Sequence, residues 1–421
     1  MKIQHRAVAI GAVGAMALGL AACSGGDSTS TGTTGEITGT VTGVFDSQYK
    51  GALDPIIEDF EKKYPDVQVE IDYQGGDLGQ VVLTQLQAGT APDVLLAFPG
   101  GNPNDISSNV VPLAKSGLIA PFEADWSSKI PDIWKSDVSF EDKLYAFPGA
   151  LQPLSAIYNQ TALNKHGLKT PTTLDEVYKF CSDAKAKGVY AYAQGLGDTA
   201  AGPQMLSFGQ TASLIYGENP KWDEGLASGK SSYPGSGWQT QLEIYKKMSD
   251  QGCFGDGALG RTRQQGADAV AQGQALGIVD VGAVLAGIHA AAPNDEFVVA
   301  PMPATNESAS VTALPGYVLA LNAQAKNPAA AAAFLEFAGS PEEAAKYAKG
   351  FDSVPVVPNE GFEPSPQLSE FNKLVQSGKT ARIATLQPEV QTTLNTGIQS
   401  MLLGKDTPES LTQKMQDAYK K

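Results

Sequence analysis

The sequence predicts an α/β protein that is divided into two domains. The chain has 421 residues, and the roughly 385 that follow a Ser/Gly/Thr-rich N-terminal stretch are more than one hydrophobic core usually serves. Strand-type and helix-type patterns alternate from residue 37 to residue 98 in the order β-α-β-α-β. This order favours a mostly parallel sheet with helices on both faces. With 42% hydrophobic and 18% charged residues, the composition is that of a globular protein.

Each of these five elements has its own pattern. β-branched residues alternate with others over residues 37–45 and again over 67–71, which predicts two strands. Apolar residues at helical spacing predict helices over 53–64 and 81–88. The apolar run over 93–98 predicts a third, buried strand, so the pattern of the first hundred residues is consistent with a doubly covered sheet.

Two loops follow the first and third predicted strands. The first loop carries Asp46 and Gln48, and the third strand ends at Phe98 before a Pro-Gly-Gly sequence that leads to Asn102. In open α/β sheets, ligands bind beyond the carboxyl ends of the strands. The side chains on these two loops are therefore predicted to border a ligand site.

The first 23 residues indicate export from the cytoplasm. A basic start with Lys2 and Arg6 precedes an uncharged run over residues 7–20 and the sequence Leu-Ala-Ala-Cys, which ends at Cys23. This arrangement is typical of a secretory signal, and a run of about fourteen residues is too short to span a bilayer. The last four residues resemble a bacterial lipobox, which implies a signal peptide over 1–22 and a lipid on Cys23. An ordinary signal with a chance cysteine is the alternative.

A flexible tether is predicted after the lipidated cysteine. Residues 24–34 are only Ser, Gly, Asp and Thr, a composition that cannot bury a core. Residues 23–35 are accordingly predicted to connect a folded body to the membrane, which the protein contacts through its lipid anchor alone.

The charge of the chain argues against nucleic acid and anionic membrane surfaces as partners. The formal net charge is −15 and becomes more negative when Lys2 and Arg6 leave with the signal, whereas both partners require clustered Lys and Arg.

Motifs for catalysis, metals and cofactors are missing from the sequence. The mature chain has two histidines, His166 and His289, and contains no His-Glu-x-x-His, Cys-x-x-Cys or Gly-x-Ser-x-Gly sequence. We therefore predict that the protein is not an enzyme and holds neither a metal nor another cofactor.

Two cysteines remain after Cys23. Cys181 lies in a predicted helix over 174–187, and Cys253 follows another over 239–250. Because disulfides persist in exported proteins, we predict a Cys181–Cys253 bridge. Two buried thiols are the alternative.

Seven short segments together resemble one protein family. The run Gly-Thr-Ala-Pro-Asp-Val ends at Val94, and six further segments follow in order at 113–122, 143–148, 157–159, 167–176, 272–275 and 328–337. In this order they resemble the extracellular solute-binding proteins of the family-1 type, the maltose-binding-like receptors of ABC importers. The resemblance covers most of the chain from residue 37 to residue 411.

This resemblance implies a fold and a domain division. It implies a two-lobe α/β periplasmic-binding-protein fold with three crossovers between the lobes and a ligand cleft between them. The crossovers are expected near Phe147, Pro301 and Gly339. Lobe 1 is then 36–146 plus 302–338, and lobe 2 is 147–301 plus 339–421. Closure around a hinge is a common transition of such receptors.

A cleft that binds a neutral polyol needs aromatic faces for the C–H side of the ring and planar polar groups for the hydroxyls. Loop residues of these types are the binding candidates: Asp46, Gln48, Phe98, Asn102, Gln152, Asp198, Trp222, Trp238, Arg263 and Tyr317. Each has a structural alternative, namely a turn or helix cap for the carboxylates, core packing for the tryptophans and a surface cation for Arg263. Asp93 is interpreted as a backbone cap.

The sequence departs from the family at one expected contact. Many sugar receptors of the family carry a stacking Trp in a turn that corresponds to residues 278–284, where this chain has no aromatic residue. The stacking surface is therefore expected from Trp238 or Trp222, or the ligand is not stacked there.

These observations predict a monomeric, lipid-anchored receptor on the extracytoplasmic face of the cell membrane. By cleft closure it delivers a sugar or short oligosaccharide to the permease subunits of an ABC importer. Three alternatives remain open. The first is the same receptor with a non-sugar polar metabolite or anion, for which Arg261 and Arg263 are the close arginine pair. The others are a secreted hydrolase and an adhesin or sensor lipoprotein.

Overall fold

A computed structural model of the chain describes residues 35–74, 78–101, 107–307 and 310–420. The predicted signal peptide, Cys23 and Asn102 lie outside these residues. Within the described ranges, none of the helices has the length and apolar character needed to cross a membrane.

Strands and helices alternate along the chain, with most strands in the first two thirds. The strands are β1 (Gly39–Asp46), β2 (Val67–Gln74), β3 (Val94–Ala97), β4 (Ile119–Ala120), β5 (Ser139–Phe140), β6 (Lys143–Leu144), β7 (Ala146–Phe147), β8 (Ala150–Asn159), β9 (Tyr190–Tyr192), β10 (Ala275–Val281), β11 (Phe297–Ala300), β12 (Val311–Pro315), β13 (Val318–Asn322), β14 (Val354–Pro355) and β15 (Thr380–Arg382).

The α-helices are α1 (Lys50–Lys63), α2 (Leu78–Ala88), α3 (Val110–Lys115), α4 (Asp132–Val138), α5 (Gln160–His166), α6 (Leu174–Ala186), α7 (Gly202–Thr211), α8 (Trp222–Ala227), α9 (Gly237–Asp250), α10 (Arg263–Ala271), α11 (Val284–Ala291), α12 (Pro328–Ala338), α13 (Pro341–Gly350), α14 (Ser369–Gln376), α15 (Pro388–Leu402) and α16 (Pro408–Ala418). A short 3₁₀ turn over Ser47–Tyr49 links β1 to α1, and a π-helical turn over Ala212–Tyr216 extends α7.

The first sheet is organised around β1. Its strand order is β2-β1-β3-β13-β4, with β7 also paired to β13. β1 runs parallel to both β2 and β3, as the alternating and buried apolar patterns predict. Asp93, just before β3, accepts hydrogen bonds from the backbone N–H of Thr42 at 2.9 Å and of Lys326 at 2.5 Å. Its structural role as a backbone cap is confirmed.

The second sheet is organised around the long strand β8. Its order is β15-β12-β8-β10-β9, with β11 and β14 also paired to β8. β8 runs antiparallel to β10, β11, β12 and β14. Nearly all of its residues are buried, which is why the strand is a continuous apolar run rather than an alternating one. The two-lobe α/β fold is thus confirmed.

Within the described residues, the chain passes from one sheet to the other at three places. The first passage, at Pro148 and Gly149, lies between β7 and β8, next to the predicted position at Phe147. The second was predicted near Pro301, but β12 pairs with β8 and β15 while β13 pairs with β3. It therefore lies at Gly316 and Tyr317, and the segment just before it belongs with the second sheet rather than with lobe 1.

The third passage also lies later than the predicted position at Gly339. Helix α13 packs against α1 of the first lobe, and its Lys346 pairs with Asp59 of α1 at 2.8 Å. Only after this helix does β14 join β8. Helix α13 therefore belongs with the first lobe, because both its ion pair and the packing of its buried face are made with α1.

A disulfide joins helix α6 to the segment that follows α9. Cys181 in α6 and Cys253 after α9 form a disulfide, with 4.7 Å between their Cα atoms. The predicted pairing is confirmed, and it ties two elements that are 72 residues apart.

We expect the double substitution Cys181→Ala/Cys253→Ala to lower the free energy of unfolding by about 4 kcal/mol, because the unfolded chain loses a long covalent loop. Denaturant titration of the variant and of the wild type, with and without reductant, measures the difference. Reductant should destabilise the wild type alone. Reaction of both thiols in the denatured, unreduced wild type would contradict the prediction.

Candidate functional site

The two sheets present facing edges where the chain crosses between them. In the first sheet, the parallel strands β1, β2 and β3 all end at the edge where β13 begins, because Val318 pairs with Ala97. In the second sheet, β10 and β12 end where β8 begins, since Pro315 pairs with Leu151. Only Pro148 and Gly149 separate β7 from β8. The cleft therefore lies between these two edges, where parallel-sheet proteins bind ligands.

An aromatic pair forms the first-lobe side of the cleft. Phe98, immediately after β3, is 37% exposed, and its ring centroid lies 4.5 Å from that of Tyr317. Tyr317 contacts the buried Tyr49 edge-on at 6.3 Å, and Tyr49 in turn packs on Phe351 of the third passage. Burial holds the pKa of Tyr49 well above its ordinary value, so its ring is a neutral support. The pair offers two apolar ring faces, tilted by 43° to each other, of the kind that covers the C–H face of a sugar ring.

Polar groups flank this aromatic pair. Asp46 ends β1, and its Oδ1 accepts a hydrogen bond from the backbone N–H of Gln48 at 2.9 Å. The carboxylate thus caps the short turn before α1, as the structural alternative proposed, while it stays partly exposed at the edge of the sheet. Gln48 is exposed beside it. Both residues lie at the carboxyl end of β1, and their contact with a ligand stays a prediction.

A fixed arginine forms part of the second-lobe side. Arg263 begins α10 after the capping residue Thr262. Its Nε donates to Oδ2 of Asp280 at 3.0 Å, and its Nη2 donates to Oδ1 of the same carboxylate. These hydrogen bonds raise the pKa of Arg263, and the nearby charge of Asp198 acts in the same direction. The arginine is therefore held in one orientation rather than free at the surface.

The glycine loop after β9 allows the arginine to sit this close. A Cβ added at Gly195 would lie 2.6 Å from the backbone N of Arg263, so only glycine fits there. The same loop carries Asp198, whose charge helps to raise the pKa of Arg263. Gln152 of β8 lies opposite Leu314 of β12, at the base of the same edge. Gln152, Asp198 and Arg263 thus share one side of the cleft.

Trp222 and Trp238 do not reach the cleft, contrary to the prediction. They are 6% and 1% exposed, and both pack against Tyr233, at ring-centroid distances of 5.2 and 5.7 Å. Helix α9, which carries Trp238, is covered by α16, so the C-terminal helix closes this aromatic cluster. The tryptophans are core residues of the second lobe, so Phe98 and Tyr317 are the remaining aromatic candidates from the sequence.

An ion pair between the lobes was missed by the sequence reasoning. Arg382 at the end of β15 donates to Asp137 of α4 through Nη2 and to Ser136 Oγ at 3.0 Å through Nη1. The backbone N–H of Gly100, two residues after Phe98, donates to the carbonyl of Asp137 at 2.8 Å. Burial raises the pKa of the Asp137 carboxyl to about 6, even though the charge of Arg382 lowers it.

A cavity opens beside this ion pair. It has a volume of about 590 Å³ and is lined by residues of both lobes, among them Ile133, Tyr216, Asp223 and Arg382. The hydroxyl of Tyr216 donates to the carboxylate of Asp223 at 3.2 Å. The volume lies within the range of small-molecule sites.

The rarity of arginine in the sequence could have drawn attention to Arg382. The chain has four arginines among 30 basic residues, and three of them are described. Arg261 donates to the carbonyls of Phe254 and Asp256, and the other two each bind an aspartate. Because a planar guanidinium suits a fixed ion pair better than an ammonium group does, the few arginines of a lysine-rich chain are candidates for such positions.

No group of three or more His, Cys, Asp or Glu side chains is arranged as metal ligands within the part of the chain that the structure describes.

Comparison with protein families identifies one match. The family model described as "Bacterial extracellular solute-binding protein" matches residues 46–345. Among curated proteins, a binding protein of Brucella abortus (strain 2308) is 22% identical over 383 residues, which cover 87% of this chain and 89% of the relative.

Solved structures share the fold. RafE of Streptococcus pneumoniae, in its apo form, has a TM-score of 0.70 at 19% identity and covers 91% of this chain and 99% of its own. The GacH receptor of Streptomyces glaucescens GLA.O has a TM-score of 0.65 at 19% identity and covers 91% of this chain and 98% of its own. At these identities the likeness shows a common two-lobe architecture.

We expect Trp238→Ala to lower the free energy of unfolding by about 3–5 kcal/mol, because it removes a buried indole from a packed aromatic cluster. Phe98→Ala, which removes a half-exposed ring from the cleft, should cost far less. Denaturant unfolding of the two variants and the wild type makes the comparison. Equal destabilisation by both substitutions would contradict the assignment of Trp238 to the core.

Proposed function

Because this chain belongs to the bacterial extracellular solute-binding proteins, we propose that it is a lipid-anchored receptor that delivers a sugar or short oligosaccharide to an ABC importer. It is a solute-binding protein of an ABC transporter and not an enzyme. The proposal for the ligand depends on one observation, the Phe98–Tyr317 ring pair beside the end of β3.

The two sides of the cleft match the two kinds of surface that a sugar presents. A pyranose ring has an apolar C–H face, which packs on aromatic rings, and hydroxyl groups at its rim, which need paired donors and acceptors. The first lobe supplies the rings, and Gln152 with Arg263 and Asp280 supplies the polar groups. RafE has been solved in complex with raffinose and the GacH receptor with acarbose, which supports a carbohydrate ligand for this chain.

Capture is proposed to occur by closure about the three passages between the lobes. The backbone N–H of Gly316 donates to the carbonyl of Ala150 at 3.0 Å, and that of Val356 donates to Gly149 at 3.2 Å. Rotation within these segments moves the first-lobe rings towards the second-lobe polar groups. A ligand that contacts both sides stabilises the closed state over the open one, which is the differential binding that closure requires.

The location follows the family, and the anchor is part of the proposal. The family is extracellular, so the protein acts outside the cytoplasm. We propose that Cys23 carries a lipid and that residues 23–35 are a flexible tether, with an end-to-end distance of about 20 Å for roughly a dozen residues. Such a tether keeps a monomeric receptor near the permease subunits of its importer.

Phe98→Ala and Tyr317→Ala should each weaken sugar binding by up to about tenfold, since a stacking contact contributes about 0.5–1.5 kcal/mol. A thermal-shift panel of mono- and oligosaccharides identifies the sugar, and isothermal titration measures Kd. The control is Tyr178→Ala, which removes a half-buried tyrosine of α6 outside the cleft.

Two results of this panel would contradict the proposal. A thermal shift with an organic acid or amine, and none with any sugar, would overturn the carbohydrate ligand. Turnover of a glycoside by the purified protein would overturn the receptor function.

Cys23→Ser should abolish lipid attachment and release the folded protein from the membrane fraction into the soluble fraction, because a secretory signal alone leaves no anchor. Metabolic labelling with a fatty-acid analogue and fractionation of the expressing cells measure both effects. Cys181→Ala provides the matched control and should remain labelled. Equal labelling of wild type and Cys23→Ser would contradict the anchor.

A further inference from the structure

The two arginines of the cleft are both paired with buried aspartates. Arg263 binds Asp280, whose side chain is 1% exposed, and Arg382 binds Asp137, whose side chain is 6% exposed. The arginine side chains are 29% and 40% exposed. In each pair the guanidinium therefore lies on the side of the solvent and the carboxylate lies behind it.

Each arginine–aspartate pair has no net charge, but its guanidinium still has N–H groups that can donate hydrogen bonds. A negative ligand near either guanidinium is attracted by the cation and repelled by the aspartate a few ångströms further away, so the two Coulomb terms largely offset each other. Directional N–H donors remain available to a neutral acceptor such as a hydroxyl oxygen. A neutral ligand can still bind the N–H donors that the pairs leave unused, whereas an anion loses most of its attraction.

The remaining charges around the cleft do not restore a positive field. Asp198 lies close enough to raise the pKa of Arg263, and Asp46 lies on the opposite side at the end of β1. In the cavity beside Arg382, the two lysines of the lining, Lys221 and Lys379, are balanced by the two carboxylates Asp223 and Glu224, and Lys221 lies 3.7 Å from Glu224. Like-charge contacts of this kind discriminate strongly against the wrong partner.

We propose that Asp280 and Asp137 are specificity-determining residues that restrict the cleft to uncharged ligands by neutralising Arg263 and Arg382. They act through the arginines rather than by contact with the ligand, so they are positioning residues. This inference rests on the proposed sugar-binding function and adds that sugar acids are excluded. It also disfavours the anionic ligand that the sequence left open.

The test compares a neutral sugar with its own acid. Raffinose, maltotriose and chitotriose are titrated first, and the tightest binder is oxidised at C6 to give a carboxylate on the same skeleton. Isothermal titration of both compounds gives the ratio of their Kd values. For the wild type we expect the Kd of the acid to be about a hundredfold higher than that of the neutral sugar. For Asp280→Asn we expect this ratio to fall to about tenfold.

Two further readouts separate a charge effect from a structural one. Binding of the acid by Asp280→Asn should weaken as NaCl increases, because salt screens the exposed arginine charge, while binding of the neutral sugar should not. Asp137→Asn tests the second pair in the same way. Arg263→Gln leaves Asp280 without its cation and should bind the acid even more weakly than the wild type does.

The matched control is Asp59→Asn, which breaks an aspartate ion pair with Lys346 on the outer face and should leave the ratio unchanged. An unchanged ratio in folded Asp280→Asn and Asp137→Asn would overturn the inference and leave the sugar receptor standing. Equal Kd values of the wild type for the sugar and its acid would likewise overturn the inference and leave the sugar receptor standing. Failure of all three neutral sugars and of the wider panel to bind would overturn the proposed function, and this inference with it.

Discussion

Two backbone hydrogen bonds at the base of the cleft determine how the rest of the molecule is arranged. They join the three passages between the lobes, from Gly316 to Ala150 and from Val356 to Gly149. Gly149 has a φ of +66°, and a Cβ there would lie 3.1 Å from the ring of Tyr347, so a side chain would push the passages apart. The binding candidates follow directly from these segments: Gln152 comes two residues after Ala150, and Tyr317 comes one residue after Gly316. Because rotation about a hinge displaces nearby atoms least, these two residues move less on closure than groups further from the passages.

The two sides of the cleft differ in chemistry because different residue types follow the strands of the two sheets. The first sheet ends in an apolar pair, Phe98 and Tyr317, supported from behind by the buried Tyr49. The second sheet ends in polar groups that are fixed by its own buried strand, since Asp280 lies within β10 and holds Arg263 in two hydrogen bonds. A ligand that satisfies both sides needs one apolar face and a rim of neutral acceptors and donors. The absence of an aromatic residue over 278–284 is then a consequence of this division, because the aromatic surface is supplied by the opposite lobe.

Local features were predictable from the sequence, and pairings between distant segments were not. The strands over 37–45, 67–71 and 93–98 form as their apolar alternation and β-branched residues predict, and the Cys181–Cys253 bridge forms as the exported context predicts. The second passage was misplaced because β12 and β13 are similar apolar runs separated by Gly316 and Tyr317, and only pairing with β8 distinguishes them. The burial of Trp238 was not predictable because α16, which covers its helix α9, is distant from it in sequence. The Asp137–Arg382 pair joins residues 245 positions apart, a separation at which no local pattern carries information.

The interlobe ion pair aligns the lobes without locking them together. Burial raises the pKa of Asp137 to about 6 although Arg382 opposes the change, which means that the desolvation of the carboxylate outweighs its attraction to the guanidinium. Buried ion pairs commonly contribute little net stability for this reason, while their geometry remains specific. Asp137 and Arg382 therefore fix the register in which α4 meets β15 but add little to the free energy of closure. The free energy of closure then has to come from the ligand. Without a ligand the open state is favoured, and a solute-binding protein depends on this property to release what it has bound.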